Sequence, residues 1–123
     1  MKGTDVAARA IDAVIFDLDN TLTDFMKAKE ESIAAAVDAM IDAGLPVKRR
    51  EAIDGIFAIY RDKGIEHQRV FNFFLEQTIG RTDDRVLAAA VIAYRRARDA
   101  SLVLYPHANF VLNRLLKDGY KLA

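Results

Sequence analysis

The 123-residue sequence contains no cysteine. That absence excludes disulfides, thiolate catalysis and Cys-ligated zinc, and nothing points to secretion. Excess charge is missing too, since 18 Lys and Arg balance 18 Asp and Glu. No basic field is available for nucleic-acid or membrane-surface binding. No apolar run approaches the roughly 18 residues of a membrane span. The opening stretch MKGTDVAARAID is interrupted by Asp5, Arg9 and Asp12 and lacks a signal-peptide core. There is no Gly-rich phosphate loop of the nucleotide-binding type. The two histidines, His67 and His107, are not at metal-ligand spacing. No internal repeat or low-complexity segment is evident. These absences lead to the expectation of a soluble cytoplasmic protein with neither nucleic acid nor membrane as partner.

What is present is apolar sequence, 52% of the chain, enough for a sizeable core in one domain's worth of residues. The stretch Ala13-Val14-Ile15-Phe16, ending at Asp17, reads as a short strand buried on both faces, which suits a parallel sheet. A loop, Asp17 to Thr23, follows. The period then turns helical. Ile33, Val37, Met40 and Ile41 mark a helix from Phe25 to Ala43, ended by Gly44-Leu45-Pro46. Ile53, Ile56, Phe57 and Tyr60 mark a second, Arg49 to Lys63. Val70, Phe71, Phe74 and Leu75 mark a third, Glu66 to Ile79. Arg81-Thr82-Asp83-Asp84 offers capping groups to a fourth that reaches Ala100. Pro106 disfavours helix at the residue before it, so the chain breaks at Ser101–Pro106. A fifth helix, His107 to Asp118, leads to YKLA, the opening of another strand. A strand-to-strand crossover this long is explained most simply by a helical insertion between two core elements.

Two carboxylates, Asp17 and Asp19, stand directly after the first strand. Three readings compete. Asp and Asn favour turns, and Asn20 extends the run. A calcium loop wants Gly at its sixth position and Glu at its twelfth; counted from Asp17 those hold Leu22 and Ala28, so that reading fails. The third is nucleophilic catalysis with bound Mg²⁺, in which one carboxylate attacks phosphorus and the other protonates the leaving oxygen.

Phe16-Asp17-Leu18-Asp19-Asn20-Thr21-Leu22 resembles the first motif, DxDxT after a hydrophobic strand, of the haloacid dehalogenase-like hydrolases. The segment from Leu104 to Ala123 looks like that family's return from cap to core. The resemblance implies an α/β Rossmann-like core, here only its first strand, one helix and the start of a second strand, with an inserted α-helical bundle cap. The chain as a whole would then be predominantly α. The implied domains are 1–23 (first strand and DxDxT loop), 24–103 (helical cap) and 104–123 (return to the core). The resemblance makes Asp17 the nucleophile and a Mg²⁺ ligand. It makes Asp19 the general acid, then base, with its backbone carbonyl reaching the metal. Thr21 would belong to the substrate-binding loop and hold its geometry; Asp24 resembles a cap-hinge position, with helix capping as the competing reading. Because Asp occupies position 19, the sequence looks like the phosphatase branch, acting on a small phosphorylated metabolite.

The family's later parts, a Ser or Thr, a Lys and further metal-binding acids, follow a segment like Gly119–Ala123, where this chain ends. Lys117 and Lys121 precede the second motif and do not replace that Lys. The expectation is a truncated hydrolase with little activity alone. The alternative is a non-catalytic helical interaction or oligomerisation module that retains a relic DxDxT loop. Exposed core-facing residues such as Val111, Leu112 and Leu115 would favour self-association. Among the remaining candidates, Phe57, Tyr60, Phe71 and Phe74 read as bundle core, with Phe73 off the stripe and a candidate for a substrate entrance. His67 reads as solvated and His107 as a surface residue at a helix start. Arg95, Arg96 and Arg98, like Lys48-Arg49-Arg50, read as solvated faces.

Overall fold

The computed structural model describes residues 10–123; most of the signal-peptide reading, residues 1–9, lies outside them. The described elements run β1 (Ala13–Val14), α1 (Phe25–Asp42), α2 (Arg49–Lys63), α3 (Val70–Ile79), α4 (Asp84–Ser101), α5 (Ala108–Lys117) and β2 (Lys121–Leu122). The described residues form two compact units, 26–101 and a second made of 10–25 with 102–123.

The 26–101 unit holds the core. Ile33, Val37 and Met40 of α1 are fully buried with Ile56 of α2 and Leu75 of α3, and Ala90 of α4 closes the same cluster. The i, i+4, i+7 spacing of the α1 residues places them on one stripe, as the periodicity predicts. α1 ends where Gly44 turns to a φ of 103°. The amide of Leu45 then donates to the Met40 carbonyl at 3.0 Å, and the Leu45 side chain folds back into the core. α2 and α3 approach closely at Gly55, where an added Cβ would meet the Phe74 ring at 3.2 Å. α4 is capped as expected: Asp83 Oδ1 accepts from the amides of Arg85 (3.0 Å) and Val86 (3.2 Å). The Val86 amide is the main reason the Asp83 carboxyl titrates below its usual range.

Two expectations are corrected in this unit. The third helix starts at Val70, not Glu66, because residues after Gly64 form a turn in which the His67 amide donates to the Gly64 carbonyl at 3.1 Å. His67 is also not solvated. Its ring packs 5.3 Å from Phe73, and its Nε2 is buried without a hydrogen-bond partner. Phe73 is half-buried against the core between that ring and the Lys63 ammonium, 4.5 Å from its centroid.

In the other unit, β1 and β2 form a two-stranded parallel sheet with Ala13 opposite Lys121 and Val14 opposite Leu122. The first strand is shorter than Ala13–Phe16, yet its ladder continues through the Phe16 amide, which donates to the Ala123 carbonyl at 2.8 Å. Among the described residues of this unit, Thr23 and Ala108 are the buried ones. Of the fifth-helix residues expected to be exposed, Val111 is (42%), while Leu112 and Leu115 are half-buried; Phe110 (67%) and Leu116 (56%) are more open.

Candidate functional site

The last ladder bond, at Phe16, delivers the chain directly to Asp17. The loop that follows is wound around one oxygen. The Leu18 carbonyl accepts from the amides of Thr21 (3.3 Å), Leu22 (3.0 Å) and Thr23 (3.1 Å). It also accepts from the Thr23 hydroxyl at 3.2 Å. Such a tight reversal needs a residue at positive φ, and Asn20 supplies it at 56°, a conformation Asn adopts more readily than most residues. Asp17 and Asp19 flank Leu18, and both are exposed. The loop thereby holds two carboxylates two residues apart at the C-terminal end of a strand in a parallel pair, the end at which open α/β sheets bind ligands.

Thr23 does two things here. Its hydroxyl closes the loop, and its backbone bridges to Leu104 on the returning chain. On either side, the Tyr105 amide donates to the Leu22 carbonyl (2.9 Å) and the Asp24 amide to the Val103 carbonyl (3.1 Å). The outgoing and returning segments are thus zipped together immediately beside the acidic loop. Asp24 lies in this zipper, one residue before α1. Thr21 is exposed and contributes its amide to the Leu18 cluster. Sequence reading missed Thr23, although two threonines flank Leu22. The one that bonds through its hydroxyl is the one buried by the returning chain, at 6% exposure.

The other candidates lie elsewhere in the chain. His107 is the exposed N-cap of α5, without a side-chain cap bond. Lys117 and Lys121 are exposed on α5 and β2, and Arg95, Arg96 and Arg98 are exposed on α4. A cluster not foreseen sits inside the helical unit. Lys29, only 8% exposed, donates to the Tyr94 hydroxyl at 2.9 Å and lies 4.7 Å over the Tyr60 ring. Burial, then the neighbouring Tyr94, pushes the Tyr60 phenol well above its usual range. A lysine in an otherwise apolar helical stripe is the signal that could have pointed to it.

Among the described residues, no group of three or more His, Asp or Glu gathers where it could hold a metal ion. Asp17 and Asp19 offer two hard oxygen donors. That set fits Mg²⁺, which is commonly held by one or two carboxylates with water and substrate phosphate completing the shell. No described helix is long and apolar enough to cross a membrane.

Comparison with known proteins agrees with the motif. The family described as haloacid dehalogenase-like hydrolase matches residues 11–123. Glyceraldehyde 3-phosphate phosphatase of Methanocaldococcus jannaschii is 33% identical over 112 residues, 91% of this chain and 49% of that protein. The protein of the same name from Methanothermobacter thermautotrophicus is 34% identical over 110 residues (89% and 49%). That from Pyrococcus furiosus is 32% identical over 112 residues (91% and 47%). The chain spans about half the length of these curated relatives. It belongs to the haloacid dehalogenase-like hydrolase family.

Proposed function

We propose that this chain carries the nucleophile and the proton donor of a Mg²⁺-dependent phosphomonoesterase. The observation that supports this reading is the loop wound on the Leu18 carbonyl, which holds Asp17 and Asp19 at the mouth of the parallel strand pair. An Asp17 carboxylate oxygen attacks phosphorus, an O–P bond forms, and the ester oxygen departs with a proton from Asp19. Asp19, now a carboxylate, takes a proton from water as that water attacks the aspartyl-phosphate. Inorganic phosphate leaves and Asp17 is regenerated. Thr21 belongs to the substrate-binding loop, and Asp24 marks the hinge to a helical cap spanning 24–103. Mg²⁺, held by Asp17 and the Asp19 carbonyl, would offset charge on the phosphoryl group. Both acids are exposed, so proton donation by Asp19 requires the bound substrate to exclude water from it.

The substrate class is a small phosphorylated metabolite. Glyceraldehyde 3-phosphate is the candidate to test first, from the names of the relatives. The cytoplasm is the proposed compartment. The family's later motifs are not among these 123 residues, so the chain by itself is proposed to turn over little substrate. A second reading, a self-associating helical module, is favoured by one observation. Among the described residues, nine of the ten exposed large apolar side chains, all but Ile92, lie in the two-stranded unit.

The test is a chimera in which these residues replace the matching half of the M. jannaschii phosphatase. Mg²⁺-dependent hydrolysis of glyceraldehyde 3-phosphate, lost in Asp17→Asn, is expected. A folded chimera whose activity survives Asp17→Asn would sink the proposal. Mg²⁺-dependent, Asp17-dependent turnover by the 123-residue chain alone would refute its inactivity.

A further inference from the structure

β1 and β2 pair through alternate residues. The Asp12 and Val14 carbonyls accept from the amides of Lys121 (3.0 Å) and Ala123 (3.1 Å), and the Phe16 amide donates to the Ala123 carbonyl at 2.8 Å. Backbone polar groups alternate in direction along a strand, so those of Ala13 and Ile15 point away from β2, to the open edge of β1. Among the described residues no third strand occupies that edge. Side chains alternate as well. Val14, Phe16 and Leu122 share one face and are half-buried, and α5 packs against β2. Ala13, Ile15 and Lys121 share the other face and are exposed, Ile15 at 83%. Parallel sheets are covered on both faces, and an open edge is a template for a further strand. The curated relatives hold more chain than this one matches. The matched 112 residues are 49% of the M. jannaschii phosphatase, so about as many again lie outside the match.

We infer that the open edge of β1 and the Ile15 face together dock the other half of a haloacid dehalogenase-like hydrolase, with no covalent link required. A strand of that half adds parallel to β1 along Ala13 and Ile15, and a helix joined to that strand covers the Ile15 face. Strands alternating with helices form parallel, doubly covered sheets, so one strand–helix unit satisfies edge and face at once. A second copy of this chain does not: adding β1 to β1 extends the sheet and covers neither face. The surface also exists before docking. The ladder and the wound acidic loop are already bonded within this chain, so the ordering cost falls mainly on the partner. Docking rests on the shared family rather than on the catalytic roles of Asp17 and Asp19, and it is therefore read as binding.

The test is co-expression of the 123-residue chain with a tagged polypeptide, the half of the M. jannaschii phosphatase that this chain does not match. Co-purification and size exclusion report the complex, and circular dichroism checks that each variant chain folds. A one-to-one complex is expected. Ile15→Glu should weaken it by about tenfold or more. Ala13→Pro removes an N–H from the open edge, leaves the β1–β2 bonds in place and should weaken it too; Ile15→Glu, at an exposed position, decides the matter if Ala13→Pro fails to fold. Ile92→Glu, in the other unit, should leave the complex intact. A complex that forms but hydrolyses no phosphate ester would uphold docking while counting against the proposed function. Absence of a complex, a complex indifferent to Ile15→Glu, or a homodimer through Ile15 that excludes the tagged half would overturn the inference.

Discussion

One carbonyl oxygen organises the acidic loop. Four donors converge on Leu18 O, and one of them is the buried Thr23 hydroxyl. Thr23→Val keeps the branched shape and removes that donor. A loss of about 1 kcal/mol in urea unfolding is expected, with Thr23→Ser recovering most of it. Tyr60 gives a second residue-scale prediction. Its phenol is raised in the folded protein, first by burial. The unfolded chain therefore releases this proton first as pH rises. The stabilisation is fully present below about pH 10 and declines above it, with a limiting slope of about 1.4 kcal/mol per pH unit. Tyr60→Phe should remove this part of the alkaline decline, measured by urea melts from pH 9 to 11. At Asp83 the sign reverses. Its carboxyl is lowered chiefly by the Val86 amide, so its stabilisation is present above the unfolded carboxylate range and lost as pH falls through the folded value. The motif acids were legible from residue types alone. The Thr23 bond and the Lys29–Tyr94 contact were not, because each joins residues far apart in the chain or depends on a turn whose winding the sequence does not state.

At the scale of elements, periodicity located α1, α2, α4 and α5 to within about two residues, and glycines marked the ends of α1, α2 and α3. The miss at the start of α3 has a physical cause. Residues 65–69 carry helix-compatible side chains, but the left-handed excursion at Gly64 sends the backbone into a turn first. Packing between α2 and α3 makes a prediction here. Gly55 sits against the Phe74 ring, so Gly55→Val should destabilise by about 1–3 kcal/mol through overpacking, despite glycine's poor helix propensity. Leu75→Ala, which empties a fully buried site, should cost about 2–5 kcal/mol. Both are read as shifts in the urea midpoint at unchanged slope.

At the scale of the molecule, the two units differ in self-sufficiency. The four-helix unit buries a contiguous cluster from every one of its helices. Among its described residues, the two-stranded unit buries Thr23 and Ala108 and leaves Ile15 83% exposed. Residues 26–101 expressed alone should therefore retain a cooperative helical unfolding transition, whereas an isolated strand pair is marginal. Hydrophobic pattern shows which residues are apolar but not which of them find cover, so the sequence could not reveal this imbalance. What it did reveal, a strand delivering two acids into a loop, carries the functional claim. That claim is tested most directly by borohydride trapping during turnover of the chimera, followed by peptide mapping. The account predicts reductive conversion of Asp17 to homoserine, in a peptide where Asp19 is unchanged. Phosphate release with no label at Asp17, or with the label on another residue, would contradict it.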